Sequence, residues 1–317
     1  FVYSLDMEVR GDEEYILSIL AWKDCELIKE KSFTPSLRLN TQLRPIIVGT
    51  GPAGMFAGLA LAEMGMKPIL LERGKEVQQR TQDIKNFWQN RKLNPNSNVQ
   101  FGEGGAGTFS DGKLMTGIKK TPFTRKVLQE LTAAGAPEEI LYLAKPHIGT
   151  DKLVNVVANI RKKITSLGGE YRFEHQVIDL MIKDNQIQGI KVKKADNKIE
   201  EMTTDCVILA LGHSARDTFQ MLYERGIQIE QKPFSVGVRI EHRQEMINQS
   251  QYGKFANILG PANYKLTYKS TTGRGVYSFC MCPGGYVVNA SSEGGRLVVN
   301  GMSNYRRDSH NANSAIV

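Results

Sequence analysis

The first clear pattern of hydrophobic positions starts at Pro45, where a short apolar run over 45–48 leads directly into a glycine-rich turn, 49–54. Small and apolar residues then recur at helical spacing until Gly65, and a second apolar run follows over 69–72. Pro near the start and Gly at the end are typical helix boundaries. The order strand, glycine turn, helix, strand predicts the βαβ unit of a parallel sheet.

Alternating hydrophobic and polar positions dominate the middle of the chain. Three such runs are separated by the turn residues Asp184-Asn185 and Asp196-Asn197, and they cover 176–183, 186–193 and 199–204. This spacing predicts a three-stranded antiparallel meander. The continuous apolar run 206–211 that follows predicts a strand buried on both faces.

The two ends of the chain differ from this middle part. Residues 1–44 have mixed patterning, with a strand predicted over 1–9 and a helix over 14–28, so we expect an N-terminal α+β segment. From 217 onward, most segments alternate apolar and polar positions and are separated by Gly, Pro and Asn. Strands are predicted at 234–241, 276–281, 286–291 and 296–300. The predicted fold class is α/β: a Rossmann-type parallel sheet with a β-meander insertion over 45–216, and a second, largely antiparallel α+β domain over 217–317.

Charge and composition narrow the function classes. The net charge is +8, from 41 Lys+Arg against 33 Asp+Glu, but the basic residues are scattered and flanked by acids. This arrangement favours a solvated basic surface over a nucleic-acid site. The longest apolar run, 206–211, is far below the roughly 18 residues of a membrane span.

Cysteine usage indicates the compartment. The 4 cysteines are too few for a disulfide scaffold, and none has zinc-site spacing, so we predict no metal site. A signal segment is absent from the first residues, and we expect a cytoplasmic protein. Because the chain begins with Phe1 and not Met, the sequence leaves open whether a leader has been removed.

The glycine turn has the arrangement of a dinucleotide-binding loop. Gly49 allows a tight turn, Gly51 lets the backbone approach a diphosphate, and Gly54 permits close packing of helix on strand. Pro52 and Ala53 open the helix, whose N-terminus favours the anionic diphosphate. A glycine-rich turn without a ligand is the alternative.

Glu72 ends the second predicted strand, about 20 residues after the first glycine, as the fingerprint requires. Its carboxylate would accept hydrogen bonds from ribose hydroxyls and disfavour a 2′-phosphate. We therefore expect FAD or NAD rather than NADP.

A second glycine-rich segment, 102–107, matches the same spacing but has no strand before it and no helical pattern after it. Nor is it a Walker A loop, because Leu114 follows Lys113 where Ser or Thr is required. It is either a flexible surface loop or a second loop over the same dinucleotide.

These motifs carry a family resemblance. Glu72-Arg73-Gly74 and the segment 98–114 resemble the uncharacterised FAD-dependent dehydrogenases of the glutathione-reductase-type flavoprotein superfamily, and the segments 147–153, 212–218 and 280–285 agree. The resemblance implies FAD as cofactor. The residues that it implies for FAD binding are Gly49, Gly51, Pro52, Ala53, Gly54, Glu72, Arg73, Gly104, Gly105, Thr108, Ser110, Asp111, Val177 and Gly212.

The sequence also departs from this superfamily. The disulfide reductases among its members carry a CxxxxC pair, and the corresponding stretch, 108–113, holds no cysteine. The superfamily closes its FAD site with a Gly-rich acidic motif near the C-terminus, which is missing after residue 301, so we expect the 217–317 domain to be incomplete. No second nucleotide fold is evident, and NAD(P)H as electron donor stays open.

Catalytic residues are not identified by the sequence. Arg239 lies on a predicted strand and could hold a substrate carboxylate, although a surface Arg–Glu pair is the simpler interpretation. His213 follows the turn at Gly212 and could reach the cofactor. Cys280 and Cys282 would project to one side of a regular strand, either as a redox pair or as two weakly reactive thiols.

We therefore expect an FAD-dependent oxidoreductase that acts on an unknown small-molecule substrate. The alternatives are an RNA-associated or RNA-modifying flavoprotein, suggested by the positive charge, and a non-catalytic FAD-binding module. The oligomeric state is left open.

Overall fold

The computed structural model describes residues 5, 7–20, 23–27, 41, 43–117 and 122–317. The chain divides into two compact units, Phe1–Thr34 and Pro35–Val317. In the first unit, helix α1 spans Glu13–Leu20 and residues 23–27 are a turn and irregular chain, so the predicted helix 14–28 is too long. Most of the predicted strand 1–9 lies outside the described residues, and residues 7–9 are not in a strand.

The second unit alternates helices and strands along the chain. Its elements are β1 (Ile46–Val48), α2 (Pro52–Glu63), β2 (Ile69–Glu72), α3 (Val77–Asn90), α4 (Pro122–Ala133), α5 (Thr150–Ser166), β3 (Glu170–Phe173), β4 (His175–Lys183), β5 (Gln186–Lys194), β6 (Ile199–Thr203), β7 (Val207–Leu209), α6 (Arg216–Glu224), β8 (Val238–Arg243), α7 (Gln244–Tyr252), β9 (Thr267–Lys269), β10 (Gly275–Cys282), β11 (Gly285–Asn289), β12 (Val299–Ser303) and β13 (Asn311–Ile316).

A parallel sheet with strand order β3-β2-β1-β7 forms the centre of this unit. Ile47 and Leu70 face a core shared with α2 and α5. Ile46 and Leu71 face the opposite core, shared with the meander. Because successive strand residues point to opposite faces, a sheet covered on both sides needs the continuous apolar runs that the sequence contains. The predicted βαβ unit is confirmed.

The meander β4-β5-β6 is antiparallel, as predicted. Asp184 and Asn185 connect β4 to β5 with positive φ values of 51° and 59°, the conformation of a tight type I′ hairpin turn. This turn fixes the register of the hairpin, and the hairpin in turn covers one face of the parallel sheet.

The run 206–211 is not buried on both faces, contrary to prediction. Strand β7 pairs with β1 at one edge of the sheet, and the described residues contribute no strand on its other side. Leu209 is therefore 41% exposed. A short apolar run does not distinguish an edge strand from a central one.

The C-terminal part contains a four-stranded sheet of order β8-β13-β10-β9 and a two-stranded sheet, β11-β12. Each of the four predicted strands overlaps an observed one, although β8 begins later than predicted, at Val238. The sequence did not predict β9, β13 or α7. In the part of the chain described, no helix is long and apolar enough to cross a membrane.

Candidate dinucleotide site

A cavity of about 280 Å³ lies at the carboxyl ends of β1, β2 and β7. Its walls include the residues that directly follow these strands: Gly49 after β1, Arg73 after β2, and Ala210 after β7. In open α/β sheets, ligands bind at this edge because the strand ends and helix N-termini converge there. The cavity is therefore the leading candidate for a ligand site.

The glycine turn is shaped by close backbone contacts. A Cβ at Gly54 would lie 1.9 Å from the Gly49 carbonyl oxygen, and a Cβ at Gly49 would lie 2.4 Å from the Ala210 carbonyl oxygen. These positions accept only glycine because the helix packs directly on the strand and turn. Gly51, by contrast, lines the cavity, and the nearest described atom to a Cβ placed there would be the Gly105 Cα, at 3.7 Å.

Helix α2 begins beside the cavity. Gly51 is its N-cap and makes no side-chain cap bond, and Pro52 occupies the first turn without an N–H to donate. Pro52 and Ala53 both line the cavity. Because the first N–H groups of a helix have no partners inside the helix, this end can bind an anionic group.

The second glycine segment packs against the first. The Gly104 N–H donates to the Thr50 carbonyl at 2.9 Å, and a Cβ at Gly105, whose φ is +62°, would lie 2.9 Å from the Gly51 Cα. Gly105, Ala106 and Gly107 line the cavity opposite the start of α2. Residues 106–109 form a short 3₁₀ turn, so the segment is not a second Rossmann turn-and-helix.

Arg80 organises this second segment. Its guanidinium is fully buried and donates to the carbonyl oxygens of Asn98 (2.8 Å), Val99 (2.9 Å), Gly102 (3.3 Å), Glu103 (2.6 Å) and Gly105 (3.0 Å). Burial lowers the pKa of Arg80 to about 10, while Glu72 and Glu103 raise it, so the side chain stays protonated at neutral pH. The segment is a braced loop and not a flexible surface one.

Glu103 provides a second brace. Its carboxylate is completely buried and accepts hydrogen bonds from the Val77 N–H and from Arg161, both at 2.7 Å. Burial raises the pKa of Glu103, and these two donors oppose the shift. Sequence patterns carried no signal for either brace, because one charged residue in a helix or loop has no periodicity.

Glu72 lines the cavity at the end of β2 and is held there by internal hydrogen bonds. Its carboxylate is only 6% exposed. One oxygen accepts from the Thr50 N–H (3.0 Å) and hydroxyl (2.8 Å), and the other from the N–H groups of Gly74 (2.9 Å) and Gly102 (3.1 Å). With four internal donors, the side chain ties the two glycine segments together, and it also lines the cavity. Its hydrogen bonds to a ribose and its exclusion of a 2′-phosphate stay predictions.

The cavity wall beyond β2 is formed by one charged, two aromatic and one aliphatic side chain, which are Arg73, Phe101, His175 and Val177. Arg73 donates to Asp217 (2.8 Å) and Thr218 (3.0 Å), and its guanidinium lies 4.5 Å from the centre of the Phe101 ring. Buried Val177 and the half-buried His175 stand nearby on β4. Val177 and Arg73 were predicted to contact the cofactor, whereas Phe101 and His175 were missed.

The turn after β7 completes the cavity. Gly212 and His213 line it, and the His213 Nδ1 lies 2.8 Å from the Ser214 hydroxyl. Gln100, Thr50 and Ser214 also line the cavity and were not predicted.

Several predicted residues lie outside the cavity. Gly54 and Gly104 sit behind its wall, where their backbones are packed against other residues. Ser110 donates to the Gly107 carbonyl at 2.7 Å, and the buried Thr108 hydroxyl has no partner among the described residues. Neither lines the cavity, and their predicted proximity to the cofactor stays a prediction.

Asp111 connects the glycine segment to the C-terminal part. It is 2% exposed and contacts Lys113 at 2.9 Å, Arg307 at 2.9 Å through Nε, and the Ser303 hydroxyl. Burial alone would raise the pKa of Asp111, but the hydrogen bond from Arg307 and the charges of Lys113 and Arg307 outweigh it and hold the pKa at about 2. Asp111 is thus an ionised cross-link that does not itself line the cavity, and its predicted position near the flavin or pyrophosphate stays a prediction.

The predicted pair of cysteines is separated by a bulge. Cys280 has a φ of +50° and is exposed, and the register between β10 and β13 shifts there. Cys282 is buried, and burial raises the pKa of its thiol to about 11. Both thiols are free, and the regular strand that would place them on one side is absent.

Arg239 makes neither a surface pair with Glu241 nor a contact with the cavity. It donates to the Asn313 side-chain oxygen at 2.6 Å and to the Cys280 carbonyl at 2.9 Å. Of the four catalytic candidates, only His213 lines the cavity. The described residues hold no cluster of three or more His, Cys, Asp or Glu side chains suited to a metal ion.

The geometry is that of a Rossmann-type dinucleotide site, and comparison with known proteins agrees. Residues 233–317 match the family model described as FAD-dependent protein, C-terminal domain-like. Over 310 residues the chain is 50% identical to a Clostridium beijerinckii protein described as uncharacterized; the match covers 96% of this chain and 57% of that relative. The chain thus spans little more than half of that relative's length.

Two further proteins are more distantly similar. The chain is 26% identical over 210 residues to a thiamine thiazole synthase of Pyrococcus furiosus, covering 64% of this chain and 69% of that protein. It also resembles the glycerol-3-phosphate dehydrogenase of Bacillus halodurans, solved in complex with FAD, at 11% identity and a TM-score of 0.40, covering 82% of this chain and 47% of that one.

Proposed function

We propose that this chain is the FAD-binding part of a flavin-dependent oxidoreductase acting on a small molecule. The observation that carries the proposal is the convergence of two glycine segments, through Gly51 and Gly105, on one cavity at the start of α2. A single glycine turn would suit NAD or FAD equally. The second segment, together with the match of residues 233–317 to an FAD-dependent family, favours FAD.

The cavity residues fit such a cofactor. Gly51 lines the cavity without a Cβ, which leaves room for a diphosphate, and the Ala53 N–H in the first turn of α2 has no partner within the helix. The adenosine would lie toward Val177 and Arg73, and the flavin toward Gly105 and Gly107. Bound FAD supplies hydride chemistry, so the chain itself needs only to position cofactor and substrate.

In this proposal, residues 45–216 form the cofactor domain and 217–317 contribute to a substrate domain. The Asp111–Arg307 ion pair joins the two and keeps the glycine segment next to the substrate side. Free cysteines suit a reducing compartment, and we propose a cytoplasmic location.

The charge arrangement does not favour the RNA alternative. In the basic cluster at 161–163, Arg161 pairs with Glu103 at 2.7 Å and Lys163 pairs with Glu63 at 3.2 Å. In the cluster at 191–198, Lys191 pairs with Glu201 at 3.0 Å. Because acids accompany these bases, neither cluster presents the continuous positive surface that a phosphate backbone requires.

Anaerobic absorbance spectroscopy of the FAD-loaded protein tests the proposal. Addition of NADH or NADPH should bleach the flavin bands, and reoxidation by an added electron acceptor should restore them. A bound flavin that dithionite reduces but neither nicotinamide reduces would support the non-catalytic binding module instead. Failure to load FAD at all would overturn the proposal.

A further inference from the structure

A group of cationic side chains lies where the glycine segment meets the C-terminal sheet, outside the dinucleotide cavity. Lys113 and Arg307 both contact Asp111, and Arg239 lies on the neighbouring strand β8. Two positive charges therefore contact one buried carboxylate, and a third, Arg239, binds the Cys280 carbonyl beside Cys282, which Lys113 approaches. Glu241, two positions along β8, makes no ion pair with Arg239, so the group keeps an excess of positive charge.

Lys113 and Arg239 are linked through two neighbouring groups, the Cys282 thiol and the Cys280 carbonyl. The Lys113 Nζ lies 3.7 Å from the Cys282 Sγ, which is 3.3 Å from the Cys280 carbonyl oxygen. Arg239 donates to that carbonyl at 2.9 Å. The bulge at Cys280 turns its carbonyl toward Arg239, and re-aiming groups in this way is a known use of bulges near functional sites.

The donors in this group outnumber the acceptors. Asn313 is fully buried; its oxygen accepts from Arg239, and its Nδ2 has no hydrogen-bond partner among the described residues. Among the residues that the structure describes, Arg239 donates hydrogen bonds only to two uncharged oxygens, Asn313 Oδ1 and the Cys280 carbonyl oxygen. An arginine that contacts no carboxylate is suited to an incoming anion, which would reach the Arg239 guanidinium and not the buried Asn313 amide.

We propose that Lys113 and Arg239 form an anion subsite, and that the substrate of the flavoprotein carries a carboxylate that binds there. This inference rests on the proposed function and specifies its substrate class. The segment that holds Lys113 continues from the cavity wall, since Ser110 donates to the carbonyl of cavity-lining Gly107 and its hydroxyl accepts from the Gly112 N–H at 3.0 Å. A carboxylate on Lys113 and Arg239 would thus hold the substrate at the segment that continues from the cavity wall.

Calorimetric titration with a charge series tests the subsite. The probes are succinate, succinamate and succinamide, which have similar shapes and carry two, one and no negative charges. Each is titrated into the chain with and without FAD, and flavin absorbance reports cofactor loading separately. Loss of FAD binding and loss of anion binding can therefore be told apart.

We expect affinity to fall in the order succinate, succinamate, succinamide. Arg239→Gln and Lys113→Gln should each weaken succinate binding by at least about tenfold, since each removes a charged donor. Lys269→Gln, which removes an exposed charge from β9 of the same sheet, is the matched control and should leave succinate binding unchanged. Equal binding of succinate and succinamide, no binding of any probe, or full affinity in both variants would overturn the proposal.

Discussion

Gly51 and Gly105 lie against each other in the cavity wall, so closely that a Cβ on Gly105 would come within 2.9 Å of the Gly51 Cα. The two residues come from separate glycine segments, 49–54 and 102–107. Their contact brings the start of α2 and the braced loop together in the wall of one cavity. The proposed FAD site depends on this juxtaposition more than on either segment alone.

Gly51→Ala should separate cofactor binding from folding. The added Cβ meets only the Gly105 Cα, at an ordinary contact of 3.7 Å, so the fold should persist, but the methyl group enters the space of the diphosphate. We expect FAD affinity to fall by at least about tenfold, measured by fluorescence titration. Gly260→Ala, whose Cβ would meet nothing within 4 Å, is the control and should bind FAD normally. Unchanged affinity in Gly51→Ala would place the diphosphate elsewhere.

Arg80→Met should destabilise the protein strongly. The substitution keeps a long side chain but leaves buried carbonyls, including those of Glu103 and Gly105, without their donor. We expect the free energy of unfolding to drop by about 3 kcal/mol in urea, together with loss of FAD binding. Arg306→Met removes an exposed arginine and should stay within about 0.5 kcal/mol of wild type. Similar stabilities for the two variants would show that the brace contributes little.

Asp111→Asn should reveal a pH-dependent contribution to stability. The folded pKa of about 2 lies below the ordinary value of 3.8, so the ionised form stabilises the fold fully above pH 4, and this stabilisation is lost as the pH falls toward 2. At pH 7 we expect the variant to be less stable by about 2 kcal/mol, with the difference narrowing below pH 4.

Urea unfolding at several pH values measures this difference. The control is Asp308→Asn, which changes an exposed carboxylate near the end of the same chain. A stability difference that stays constant from pH 7 to pH 3 would contradict the assignment of Asp111 as an ionised cross-link.

The two cysteines of β10 should react at very different rates. Cys282 is buried with a pKa raised to about 11 by burial, whereas Cys280 is exposed at the bulge. At pH 8, iodoacetamide should modify Cys282 on the order of a hundredfold more slowly than Cys280, followed by peptide mass spectrometry. Unfolding in urea should remove the difference. Equal rates in the folded protein would argue against the bulge and the buried thiol.

Local patterns predicted much of this fold because the features concerned are local. The run 45–48, the glycine turn and the run 69–72 are contiguous, and so are the three strands of the meander. Strand β13 was missed because Asn311–Ile316 has little hydrophobic alternation and is specified by its pairing with β8 and β10. The sequence of one segment does not reveal which distant strands it pairs with or in which register.

The site was predicted less completely than the fold. Spacing identified Gly49, Gly51 and Gly54, whose steric requirements are met in the structure. It did not reveal that Glu72 is satisfied by internal hydrogen bonds, or that buried Arg80 holds the second loop. Both depend on which backbone groups converge in three dimensions, and a charged side chain gives the same sequence signal whether it binds a ligand or braces a loop.

Equilibrium loading with FAD tests the central claim most directly. The chain is incubated with FAD, separated from free cofactor by gel filtration, and its flavin content is measured by absorbance beside that of Gly51→Ala. We predict that the wild-type chain retains one FAD and that Gly51→Ala retains far less. Equal retention by both proteins, or none by the wild-type chain, would contradict the assignment of this cavity to FAD.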